Sequence, residues 1–175
     1  FKNTSLALFS KFDLCCTQSN DSTFFYENLG TKNTIYTGNL KFASRPPEID
    51  SKKLQVLKKM LKNRKILLAA STHEGEEEII ANITLSLKKK YKDFISVIVP
   101  RHPNRSEFFS NKQKLKISYR SRNQDIKPNT NIYIADTIGE LNLFYKLANF
   151  IFVGGSLVNH GGQNPIEAAS LGKTI

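Results

Sequence analysis

Long apolar runs are missing from this chain: nothing approaches the roughly 18 consecutive apolar residues of a membrane-spanning helix, and no charged-then-apolar leader opens it. Cysteine is nearly absent. Cys15 and Cys16 are adjacent in a strand-like segment, Leu14 to Thr17, so their side chains are expected on opposite faces and not in a mutual disulfide. Two cysteines exclude a framework of bridges and make a reducing compartment the default. Acidic residues are outnumbered, 15 against 26 basic, which leaves a net charge of +11 and a pI near 9.7. Such an excess points to an anionic partner, whether nucleic acid, an anionic membrane surface or a phosphate-bearing substrate. No helix-turn-helix, zinc-finger or RNP pattern is present, and no aromatics are interleaved with the lysine-rich stretches, so specific nucleic-acid recognition is not expected.

Several motifs are missing as well. No Walker loop and no G-x-G-x-x-G fingerprint occur. The zinc-protease spacing fails because Glu77 stands where its second histidine would be, and His102 and His160 lie on separate loops, so no metal site is expected. No Ser-His-Asp or Cys-His spacing is recognisable.

What remains is an alternation of short apolar strands with amphipathic helices. Leu54, Leu57, Met60 and Leu61 recur at helical spacing between Ser51 and Lys62, and lysines fill the other positions. A solvated basic face is the plain reading of these lysines; contact with anionic lipid is the functional one. Lys65 to Ala70 is a continuous apolar run suited to a strand buried on both faces. A second helix follows Gly75. It carries Glu76, Glu77 and Glu78 in its first turn and Lys88, Lys89 and Lys90 in its last, opposing the macrodipole at both ends, with Ile79, Ile80, Ile83 and Leu87 as its expected apolar stripe. Strands are expected at Phe94 to Val99, Leu115 to Tyr119, Ile132 to Ala135 and Phe150 to Val153, and helices over Gly139 to Ala148 and Pro165 to Leu171. This βαβα order predicts an α/β fold, a Rossmann-like parallel sheet covered on both faces.

Residues 1–42 read differently, as a strand over Phe12 to Thr17, a polar stretch at Gln18 to Ser22, an aromatic helix around Phe24 to Leu29 and a strand at Asn33 to Thr37. They are expected to be the tail of a preceding domain. Residues 43–50, with Pro46 and Pro47, are the expected linker. Residues 51–175 are then the Rossmann-like domain, expected to be truncated at its C-terminus within a longer protein.

In an open parallel sheet ligands bind beyond the carboxyl ends of the strands. Four strand-following segments therefore matter: Ser71 to Gly75, Pro100 to Pro103, Asp136 to Glu140 and Gly154 to Glu167. The last contains Gly154, Gly155, Gly161 and Gly162, whose backbone is open to close approach and whose amides suit a phosphate or carboxylate. Asn164, Pro165 and Glu167 have the spacing of a capping box, as do Thr137 and Glu140. Arg101 can grip a phosphate with two hydrogen bonds, and a glutamate can accept both hydroxyls of a ribose. These are the parts of a nucleotide site.

The segments STHEGEEE (71–78), PRHP (100–103), DTIGEL (136–141) and FVGGSLVNHGGQNPIEAA (152–169) resemble the Kdo (3-deoxy-D-manno-octulosonic acid) transferase family in order and spacing. LFSKFD (8–13), TQS (17–19) and TGNLKF (37–42) resemble it upstream. The resemblance implies the C-terminal half of a GT-B glycosyltransferase fold, and a metal-independent enzyme without a cofactor. Its reaction would move Kdo from CMP-Kdo onto a lipid A precursor in lipopolysaccharide core biosynthesis, at the cytoplasmic face of the bacterial inner membrane. The implied partners are the nucleotide-sugar donor, the lipid A acceptor and the anionic inner-membrane surface. The implied CMP-binding residues are Pro100, Arg101, Ile138, Gly139, Glu140, Asn164, Pro165, Ile166 and Glu167. Ser71, Thr72, His73, Glu74, Gly75, Gly154, Gly155, Ser156, Gly161 and Gly162 form the expected donor-site loops. The family's catalytic base is a glutamate of the N-terminal, acceptor-binding domain, so no residue here is assigned that role. Two other readings are a GT-B enzyme using a UDP-sugar and a catalytically silent nucleotide-binding fragment.

Overall fold

The computed structural model of the chain describes residues 2–43, 48–104 and 115–175. Two compact units divide it, Phe1–Arg45 and Pro46–Ile175. Pro46 and Pro47 of the expected linker lie outside the described residues.

In the first unit, helix α1 (Lys2–Phe9) is followed by strand β1 (Cys15–Thr17), helix α2 (Asn20–Asn28), strand β2 (Thr34–Tyr36) and a 3-10 turn at Leu40–Phe42. β1 and β2 pair in parallel, Cys15 opposite Thr34. Helix α2 begins earlier than its aromatic residues imply, because Ser19 accepts from the Ser22 amide and draws the polar residues Asn20 to Ser22 into the first turn. Cys15 is half-buried and Cys16 exposed, both as free thiols. So few elements cannot enclose their own apolar side chains: Phe24, Phe25, Leu40 and Phe42 are all more than half exposed.

The second unit opens with helix α3 (Ser51–Leu61), capped by the Asp50 carboxylate, which accepts from the Lys52 and Lys53 amides. Leu57 and Leu61 are buried beneath it. Strand β3 (Lys65–Thr72), helix α4 (Glu76–Lys90), strands β4 (Phe94–Pro100), β5 (Ile117–Tyr119) and β6 (Ile132–Ile134), helix α5 (Leu141–Leu147), strand β7 (Phe150–Val153) and helix α6 (Ile166–Ser170) follow. The sheet order is β5-β6-β4-β3-β7 with every pairing parallel, as the alternation predicts. β4 is buried at all seven positions, which is why it reads as an apolar run broken only by Ser96. One face of the sheet packs Leu68, Ile95, Val97 and Tyr133 with Leu57 and Leu61 of α3 and Phe144 of α5. The other packs Ala69, Ile98, Ile132 and Ile134 with Ile80 and Ala81 of α4.

The expected stripe of α4 is displaced. Ile79 and Ile83 are 39% and 38% exposed, whereas Glu76, Glu77, Ile80, Ala81 and Thr84 face the sheet. Polar pairing fixes this rotation: the Thr84 hydroxyl meets the Ser96 hydroxyl of β4 at 2.6 Å, and Glu77 accepts from Thr72 at 2.9 Å. Ile83 and Leu87 instead line a shallow apolar hollow with Leu67, Tyr91, Phe94 and Phe150, near the amino ends of β3, β4 and β7.

Chain order and sheet order diverge at β3. From there β4 and then β6 and β5 are laid to one side, and β7 returns to the other. That reversal puts the topological switch point between β3 and β7, the position where open parallel sheets receive ligands.

Candidate functional site

Because the sheet runs β6-β4-β3-β7, the loops that leave these strands stand in a row at one edge: 135–140, 101–104, 73–75 and 154–165. All four sequence-predicted segments are thus brought to one side of the domain. The backbone joins neighbours in the row, since the Arg101 amide donates to the Thr72 carbonyl at 3.0 Å and the Gly154 amide to that of Ala70 at 2.8 Å.

The glycine-rich loop differs most from its reading in the sequence. Its amides were expected to await an anion, and the chain itself supplies one. Glu76, 0% exposed, accepts from Gly155 at 2.9 Å, from Leu157 at 3.1 Å and from the His73 amide at 2.8 Å. Burial pushes its carboxyl upward, but those three hydrogen bonds, helped by His73, outweigh it and hold the group below the ordinary glutamate value. The Gly162 amide donates to Gly155, and Gln163 to Gly154, so the loop is closed on itself. Gly154 serves close packing: a Cβ there would fall 2.2 Å from the Ser71 carbonyl oxygen. In the sequence Glu76 was one of three helix-start carboxylates. The signal that separates it from exposed Glu78 is its position directly after the positive-φ Gly75, which turns the chain into α4.

His73 and His160 come together from the two loops, ring centroids 3.8 Å apart, and His73 Nε2 lies 3.1 Å from the Gln163 side-chain nitrogen. Ser71 takes a φ of +55° at the end of β3, and Thr72 is buried on Glu77. Glu74, Gly75 and Ser156 are exposed at the rim, and Ser156 donates to the Val153 carbonyl. Pro100 ends β4 opposite Thr72. The Arg101 side chain is exposed and makes no hydrogen bond or ion pair among the described residues.

The loop after β6 is tightly braced. Asp136 accepts from the Ser121 amide and hydroxyl at 2.9 and 2.6 Å. Glu140 takes both Nε and Nη2 of Arg120, the Thr137 hydroxyl at 2.6 Å and Lys53 at 3.3 Å. The hydrogen bonds from Arg120 are the main cause that lowers its carboxyl to about 2, against the opposing effect of burial. Thr137 and Glu140 therefore bond through their side chains, and not as a capping box; α5 starts only at Leu141. Arg120, which the sequence reading passed over, lies 20 residues away and carries no local pattern. Ile138 is 87% exposed beside Gly139, whose φ is +79°.

At the fourth segment the Asn164 side chain accepts from the Ile166 amide at 2.9 Å, with Pro165 preceding the helix. The reciprocal bond of a capping box is absent among the described residues: Glu167 is exposed and its carboxylate accepts no hydrogen bond from them, although its backbone carbonyl accepts from the Ser170 hydroxyl at 2.8 Å. Its charge, after burial, contributes to raising the buried Tyr145 phenol to about 12. Two glutamates that share capping-box spacing are thus in different states, Glu140 fully engaged and the Glu167 carboxylate open.

Sheet and site together define a Rossmann-like α/β domain of the kind that forms the C-terminal half of a GT-B glycosyltransferase. No family model matches the chain. It is 37% identical over 166 residues to the 3-deoxy-D-manno-octulosonic acid transferase of Haemophilus influenzae, covering 91% of this chain and 39% of that one. It is also 37% identical over 153 residues to the transferase of the same name from Rickettsia bellii, covering 86% and 36%. The crystal structure of the C-terminal CMP-Kdo binding domain of WaaA from Acinetobacter baumannii superposes with a TM-score of 0.63 at 36% identity, over 70% of this chain and 66% of that one. The chain is thus similar over most of its length to 3-deoxy-D-manno-octulosonic acid transferases, and over 70% of it to the C-terminal CMP-Kdo binding domain of one of them. It spans less than two fifths of the length of these curated relatives.

Proposed function

We propose that this chain is the CMP-Kdo-binding portion of a Kdo transferase, which passes Kdo to a lipid A precursor. The observation that carries the reading is the convergence of four family-like loops on one edge of a sheet whose relative is a CMP-Kdo binding domain. Arg101, unengaged among the described residues, supplies a guanidinium for the donor phosphate. With Glu140 saturated by Arg120, Thr137 and Lys53, the open carboxylate of Glu167 is the better ribose acceptor, and Ile138 offers an apolar surface for the base. Residues 1–42 belong in this reading to the acceptor-side domain, 43–50 to the linker and 51–175 to the donor domain. The basic residues of α3 suit the anionic cytoplasmic face of the inner membrane.

Calorimetric titration of the chain with CMP, UMP and a random oligonucleotide, each at two salt concentrations, tests this reading. CMP is expected to bind best and with modest salt dependence. Preference for UMP would favour a UDP-sugar enzyme, and binding to the oligonucleotide alone, collapsing with salt, would reduce the basic charge to counterion release. Arg101→Ala is expected to weaken CMP binding by about 1.5 to 3 kcal/mol, the usual worth of a hydrogen bond to a charged group. Unchanged affinity in that variant removes the phosphate assignment.

A further inference from the structure

We propose that Glu76 is a positioning residue of the donor site, a built-in anion that joins the loops after β3 and β7 and holds the glycine-rich loop at the depth the nucleotide-linked sugar requires. The inference rests on the donor-binding reading above and adds a residue to it. Three observations carry it. Glu76 is fully buried where the strand order reverses, and its two oxygens accept from amides of both flanking loops, His73 on one side and Gly155 and Leu157 on the other. The side chains those loops carry meet beside it, His73 against His160 and Gln163. The loop is closely packed at its start, where a Cβ on Gly154 would fall 2.2 Å from the Ser71 carbonyl oxygen, and folds tightly on itself, where one on Gly155 would fall 3.2 Å from Gly162 Cα.

The carboxylate form matters. It is acceptor only, and each of the three N–H groups aims at one of its oxygens. Glutamine has the same shape but a single acceptor oxygen, so its NH2 would face either Leu157 N–H or the pair from His73 and Gly155. A donor facing a donor in a buried site opens one of the two loops. A carboxylate that merely offset the helix dipole would resemble Glu78, which occupies the same first turn and is exposed.

The test compares the wild-type chain with Glu76→Gln and, as a control for lost charge in the same turn, Glu78→Gln. Amide hydrogen exchange is followed by mass spectrometry, with CMP affinity measured calorimetrically on samples whose circular dichroism shows them folded. In Glu76→Gln, exchange across 154–163 is expected to quicken at least about tenfold while β3 and β4 stay protected, and CMP affinity to fall at least about tenfold. Glu78→Gln is expected to change neither. A folded Glu76→Gln chain with wild-type loop exchange, or with wild-type CMP affinity, overturns the proposal. Should Glu76→Gln not fold, the wild-type chain decides: CMP must slow exchange across 154–163 and not at the far end of α4, and absence of slowing overturns the inference. A wild-type chain that binds no CMP fails the functional reading instead, while the exchange comparison still scores the hold exerted by Glu76.

Discussion

At the scale of single residues, the domain places carboxylates in contrasting states, and the contrast has a pH consequence. Glu140 is held at about 2 by Arg120 against an ordinary value of 4.5. A carboxylate whose value is depressed on folding adds stability that is complete above its unfolded value and is lost as pH falls toward the folded one. Its contribution should therefore be full above about pH 4.5 and drain away between 4.5 and about 2. With the side chain 10% exposed, the shift corresponds to an upper bound on the order of 3 kcal/mol. Urea unfolding of wild type and Glu140→Gln at intervals across that range should show two stability curves that converge as the medium is acidified. Curves that stay parallel would mean that the Arg120 pair gives the folded state no preference for the ionised form.

At the scale of elements, helix α4 shows how a polar pair overrides an apolar pattern. Four isoleucine and leucine positions mark one stripe in the sequence, yet the face that meets the sheet is small and partly polar. The Thr84 hydroxyl also donates to the Ile80 carbonyl at 2.6 Å, so the pair with Ser96 is anchored within the helix and to β4 at once. Thr84→Val and Ser96→Ala should each cost about 1 to 3 kcal/mol, since each leaves the other hydroxyl buried without this partner. The double variant should cost clearly less than the two losses added, because removing both partners leaves no such group behind. Equilibrium unfolding of the four proteins measures the coupling; strict additivity would show that the hydroxyls do not act as a pair.

At the scale of the whole molecule, a sheet edge that gathers the proposed donor-site loops would be only half of a glycosyl transfer. The chain alone, given CMP-Kdo and a lipid A precursor, is expected to produce no transfer even while it binds nucleotide. Inverting transfer needs a base within about 3 Å of the acceptor hydroxyl, and in the function proposed that base belongs to the acceptor-side domain. Proximity is lost as well: an acceptor not held across from the donor forfeits a contribution worth about 7 to 11 kcal/mol in favourable cases. Incorporation of radiolabelled Kdo measures this directly. Robust turnover by the chain alone would place the base within these 175 residues, with Glu74 and His73 the first to replace.

The sequence by itself determined the alternation of strands and helices, the parallel sheet and the four strand-following segments at its edge. Each of these is written locally, in residue periods, in short apolar runs and in glycines where the chain must turn. Only the tertiary structure decided which groups those segments spend on one another. Strand order placed the loop after β7 against the loop after β3, some 80 residues earlier, and thereby let Glu76 fill the amides that the glycine-rich pattern alone left open. The β5-β6 pairing likewise brought Arg120 to Glu140, so that two glutamates with the same local spacing parted, one saturated and one open. Hydrogen-bond partners of this kind are chosen by proximity in space, and proximity between distant segments exists only once the sheet has been assembled.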